Sequence, residues 1–127
     1  MAGGMREPAA IRAHYEAILA GDDLEALARL PIWISLDPLP DEEDTAWAEG
    51  ICLSLTGHGD RWVHGNAVLG LGHLARTLGR FANPQAVRRA VEAGLKDADM
   101  HVRGQADCAA SDLQHFLGWD FSGLTPD

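Results

Sequence analysis

The chain has 127 residues, 46% of them hydrophobic, with ten Lys and Arg against nineteen Asp and Glu for a net charge of −9. Such a length is most simply one domain, residues 1–127, able to bury about two-thirds of its unfolded surface without staples. The acidity argues against DNA or RNA as partners, since phosphate neutralisation dominates their binding. The absence of an apolar signal core in "MAGGMREPAA", or of any apolar run near 18 residues, predicts a soluble, cytoplasmic protein with no membrane contact.

Taken in chain order, the periodicity predicts helices in pairs. "EPAAIRAHYEAILAG" and "DDLEALARLPIWISLD" form a degenerate first pair over residues 7–37, with Pro31 breaking or kinking its second helix. "DEEDTAWAEGICLSL" and "DRWVHGNAVLGLGHLARTLG" form the second pair, 41–79. "NPQAVRRAVEAGLKD" opens the third, 83–119, with Asn83 as cap, Pro84 in the first turn and Val87, Val91 and Leu95 on one face. Its second helix is "DADMHVRGQADCAASDLQHFLG", capped by Asp99 and closed by Gly118, and residues 1–6 and 120–127 are left as flexible tails.

A shift of 39 residues lays residues 60–79 on residues 99–118 with seven identities: Asp60/Asp99, Val63/Val102, Gly65/Gly104, Ala67/Ala106, Leu74/Leu113, Leu78/Leu117 and Gly79/Gly118. A period near 40 is that of helical-hairpin solenoids. The fold expected is therefore all-α: a short right-handed α-solenoid of about three hairpins. Recurrence also assigns roles. Asp60 and Asp99 are helix caps worth about 1 kcal/mol each, and Gly65 and Gly104 allow close helix approach. Gly70 and Gly72 are no phosphate loop, because no strand precedes them. Cys52 and Cys108 stand in no metal or redox spacing and read as buried thiols.

The aspartate, the Val-Arg or Val-His pair, the small residue and the terminal Leu-Gly of residues 58–79 and 97–118 resemble the HEAT-repeat superfamily. His64 stands where that pattern has arginine. The order "HYEAIL", "AEGICLSLTGHGDRWVHGNAVLGLGHLARTLGRF" and "ASDLQHFL" is similar to small bacterial HEAT-like proteins, some of which are immunity proteins of contact-dependent or other polymorphic toxins. The resemblance implies a non-enzymatic inhibitor that occludes one cognate toxin domain, often a nuclease. A general scaffold or adaptor is the alternative, and a HEAT-like lyase or glycosylase a more distant one.

Candidate contact residues follow from what the repeat keeps and what it changes. Val63, Ala67, Leu71, Leu74 and Leu78 make a core stripe. Trp62, Asn66, Leu69, His73 and Arg76 make a second, mixed stripe, which becomes His101, Gln105, Cys108, Asp112 and His115 one repeat later. Second helices of solenoids line the concave face where partners bind, so Trp62, Asn66, His73, Arg76, Asp112 and His115 are candidates. The bland reading is that they stabilise one another, with Arg76 pairing Asp112 or Asp107 and His73 bonding across the groove.

Charge supplies four more candidates. Residues 1–60 hold twelve acids and three bases, and residues 61–127 seven of each, so all the net charge lies in the first half. The run Asp41, Glu42, Glu43, Asp44 starts a helix, where the dipole favours an acid or two. The surplus is either solvated surface or a dock for a basic partner. No HExxH, CxxC or facing His pair suggests a metal, no nucleophile stands in a known catalytic spacing, and no cofactor is implied.

Overall fold

The computed structural model describes residues 8–36 and 42–121, with backbone only at 8–9 and 42–44. Among the described residues there are six helices and no strand: α1 Pro8–Ala20, α2 Leu24–Leu36, α3 Glu42–Leu55, α4 Arg61–Leu78, α5 Pro84–Leu95 and α6 Met100–Leu117. They run in the order expected, and α1 contacts α2, α3 contacts α4 and α5 contacts α6. None is long and apolar enough to cross a membrane.

The ends of these helices follow from side chains at fixed places. The Asp60 carboxylate accepts the N–H groups of Trp62 at 3.0 Å and Val63 at 3.1 Å, and Asp99 does the same for His101 at 2.8 Å and Val102 at 3.1 Å. Each satisfies donors that a helix start leaves unpaired. Those backbone N–H bonds, Val102's foremost, hold the Asp99 carboxyl below its ordinary pKa. Gly79 and Gly118 end α4 and α6 in the left-handed region at φ 72°, where a side chain would be strained. Asn83 caps α5, with Pro84 in its first turn.

Helix α4 is the centre of the molecule. It packs against α2 on one flank and α6 on the other, and it also contacts α3 and α5, while α3 touches α2 and α5 and α1 rests on α2. Val63, Ala67, Val68, Leu71 and Leu74 of α4 are buried in a core shared with Leu30 and Ile34 of α2, Ile51 and Cys52 of α3, Val87 and Val91 of α5, and Leu113 of α6. Leu78, the last of the predicted core stripe, is only partly buried.

The close contacts of α4 explain glycines that its helix propensity disfavours. A Cβ on Gly72 would lie 2.7 Å from the Ala109 Cα, so α4 and α6 approach nearly backbone to backbone there. On the other flank, a Cβ on Gly70 would meet the Pro31 carbonyl and the Cys52 sulfur, each at 3.0 Å. Pro31 does not end α2. The helix continues through it to Leu36, and the bare Gly70 accommodates the buried proline.

Three expectations are corrected. Gly104 makes no close helix approach: nothing lies within 4 Å of its would-be Cβ, because no described helix covers that flank of α6. Cys108 is exposed on the same flank, whereas Cys52 is buried as expected and its thiol is pushed up to about 12, by burial and then by Glu49. The chain beyond 119 is not all tail. Phe121 is buried, Trp119 packs between Phe81 and Phe121, and the Arg88 guanidinium lies 4.9 Å over the Phe121 ring and donates to the Asp120 carbonyl. Burying an aromatic here gains more than leaving the segment free.

A buried carboxylate fastens the middle of the molecule. Glu49 of α3 is 4% exposed, and its two oxygens accept the backbone N–H groups of Ala82 and Asn83, both at 2.7 Å. Such bonds to a charged acceptor compensate for its desolvation. They fix where the chain turns from α4 into α5.

Candidate protein-binding surface

The second stripe of α4 divides into residues used for packing and residues left to solvent. Asn66 belongs to the first group. Its Nδ2 donates to the Ala28 carbonyl of α2 at 2.9 Å, and its Oδ1 accepts from Gln105 Nε2 of α6 at 2.9 Å. Gln105 is the residue one repeat on, so equivalent positions of successive second helices are linked in a polar ladder. His73 is similar: its Nδ1 bonds the Ser35 hydroxyl of α2 at 3.1 Å. Burial, then the nearby Arg76 cation, pushes its pKa down, and Asp112 opposes them.

Trp62 belongs to the second group. It stands at the first turn of α4, 50% exposed. Its ring lies 4.2 Å, centroid to centroid, from the His101 ring of α6, and the Arg61 guanidinium sits 5.3 Å over it. Arg61 in turn reaches Asp99 at 3.6 Å. The His101 ring is packed onto Gly65, where a Cβ would fall 2.6 Å from its Cδ2. Gly65 thus makes the close contact expected of it, with a side chain rather than a backbone. His101 Nε2 is sealed from solvent and has no hydrogen-bond partner among the described residues. Burial foremost lowers the His101 pKa, Arg61 adds to this, and Asp99 and Asp60 oppose it.

Beside Trp62 lies a pocket of about 340 Å³ between the starts of α2 and α4, lined by Leu24, Glu25, Ala28, Arg29, Asp60, Trp62 and Asn66. Leu24 is also 50% exposed. The sequence reading found Trp62 and Asn66 but missed Leu24, Ala28 and Arg29, because α2 departs from the repeat and its register against α4 cannot be read by self-alignment. The polar ladder was within reach, since Asn66 and Gln105 differ by the 39-residue offset.

The other candidates are scattered. Arg76 and His115 are exposed on α4 and α6, His115 edge-on to Phe116 at 4.6 Å, and Asp112 is half-buried beside Gly72. The anticipated pairing of Arg76 with Asp112 or Asp107 does not form: their charged atoms come no closer than 4 Å, and Arg76 stands in solvent. Glu42, Glu43 and Asp44 begin α3, while Asp41 and the three acidic side chains fall outside what is described. Among the described residues no three His, Cys, Asp or Glu side chains are grouped to hold a metal ion.

Comparison with family models, with curated proteins and with solved structures finds no match to this chain.

Proposed function

We propose that this protein is a HEAT-like helical-repeat module, a short right-handed solenoid of three hairpins, that binds and neutralises a cognate bacterial toxin domain by occlusion and does no chemistry itself. The observation that carries the binding role is Trp62. It is a half-exposed tryptophan that the repeat does not require, since the next unit has histidine there. It is held in place by His101 and Arg61 before any partner arrives. Tryptophan is enriched among residues that dominate binding energy, and a pre-ordered ring loses little entropy on contact. The resemblance supplies the partner class, and the acidic first half supplies the sign of its charge.

A growth assay tests this reading. Where a gene beside this one encodes a secreted protein with a variable C-terminal domain, that domain is expressed in the cytoplasm with wild-type protein or with Trp62→Ala. Wild type restores growth, and the variant, at equal soluble level, does not. Toxicity undiminished by wild type overturns the immunity reading. Binding without protection would make the protein an adaptor.

A further inference from the structure

We infer that the pocket between α2 and α4 receives an apolar side chain flanked by a lysine or arginine of the partner protein; this rests on the protein-binding reading above and specifies its contact. Several polar groups in the pocket are already engaged within the protein. Asn66 uses its amide N–H on Ala28 and its amide oxygen on Gln105. Asp60 accepts two N–H groups of its own helix, and Glu25 and Arg29 are paired at 2.6 Å. The rest of the lining is largely apolar: Leu24, Ala28 and Trp62, whose indole N–H has no partner among the described residues. An apolar guest gains by leaving water against this lining, while a polar one finds only Asp60 Oδ1 and the Trp62 indole N–H not engaged within the protein.

Charge complementarity identifies what flanks that guest. Of the charged residues lining the pocket, Glu25 and Asp60 are acidic and Arg29 is basic; Asp23 caps α2 next to Leu24, and Arg61 follows Asp60. Both cations have a carboxylate, Arg29 with Glu25 and Arg61 with Asp99. Asp23 and Asp60 have no ion pair within 4 Å among the described residues, which leaves the rim negative. Asp23 and Asp60 keep that charge fixed in place, because each accepts backbone N–H groups as a cap. A cation beside the apolar anchor is the complementary neighbour.

The test needs no toxin. The full chain, labelled with ¹⁵N, is titrated with N-acetyl-leucyl-lysine amide, N-acetyl-leucyl-glutamate amide and N-acetyl-seryl-lysine amide. The leucyl-lysine probe is expected to shift the amides of Leu24 and Ala28 and the Trp62 indole. The leucyl-glutamate probe should bind about threefold more weakly, the effect of exposed charges, and the seryl-lysine probe should give no shift. Leu24→Ser, at an exposed site, should remove the response with the helical spectrum unchanged. The proposal is overturned by no localised shift, by equal binding of the lysine and glutamate probes, or by shifts mapping elsewhere. It is also overturned if wild-type protein is a dimer that the probe dissociates, for then a second copy fills the pocket. Because the dipeptides report the pocket alone, a positive titration with failed growth rescue would reject the toxin and keep the site.

Discussion

At the scale of single residues, the glycines give the sharpest contrast. Gly72 and Gly104 both lie within second helices, yet one abuts the Ala109 backbone and the other meets nothing. Gly72→Ala should destabilise the fold by about 1–3 kcal/mol through overpacking. Gly104→Ala should stabilise it by up to about 1 kcal/mol, because alanine has the better helix propensity and the site is open. Urea unfolding of the two variants checks both signs. A third glycine, Gly65, is identical to Gly104 under the repeat, so the sequence could not separate those two; His101 and Gln105 of α6 cover Gly65, and no described helix covers Gly104.

The two inward histidines make stability depend on pH. His73 and His101 both have pKa values below the ordinary 6.5, burial being the main cause in each. Arg76 and Arg61 add to the effect, and Asp112 facing His73, with Asp99 and Asp60 facing His101, oppose it. A depressed base is neutral in the folded state while the unfolded chain takes up protons, so unfolding gains protons as pH falls. Their contribution to stability is therefore full above pH 6.5 and declines as the pH drops through 6.5 toward the folded pKa values. Urea midpoints should fall between pH 7.5 and pH 5.5, and less steeply in His101→Gln. A flat profile would mean that neither ring is held neutral by its surroundings.

At the scale of elements, much was legible. The six helices of the described residues, four of their caps and most of the core stripe of α4 follow from the 39-residue offset and from Asp, Asn and Gly at helix ends, all local signals. The tertiary exceptions were not legible. Pro31 reads locally as a break or kink, and only its placement over Gly70 shows how α2 continues through it. Glu49 reads as one more acid on an acidic chain, yet it is buried and holds α3 to the entry of α5. Glu49→Ala should cost roughly 1–2 kcal/mol, because two hydrogen bonds from the exposed Ala82 and Asn83 backbone to a buried side chain are lost. Glu49→Gln should cost less, since one oxygen still accepts. Equal stability of Glu49→Ala and wild type would show that this tie contributes nothing.

For the whole molecule, the candidate site was half legible. Trp62 stood out because the repeat discards it, but the pocket next to it needs α2, whose register the repeat does not carry. Asn66 and His73 turned out to serve the packing of α2, α4 and α6, so a contact surface built on Trp62 and the α2–α4 pocket rests on a rigid base. In the proposed encounter the acidic first half acts at a distance and Trp62 acts at contact. Replacing Asp41, Glu42, Glu43 and Asp44 by lysine should then slow association and flatten its dependence on salt, leaving dissociation nearly unchanged.

The most direct measurement of the central claim is the dissociation rate of wild type and Trp62→Ala from the cognate toxin domain, at one salt concentration. A binding residue worth about 2 kcal/mol predicts dissociation faster by about 30-fold with association little altered. Unchanged dissociation, in a variant that keeps the wild-type helical spectrum, would contradict the account and place the contact surface elsewhere on the chain.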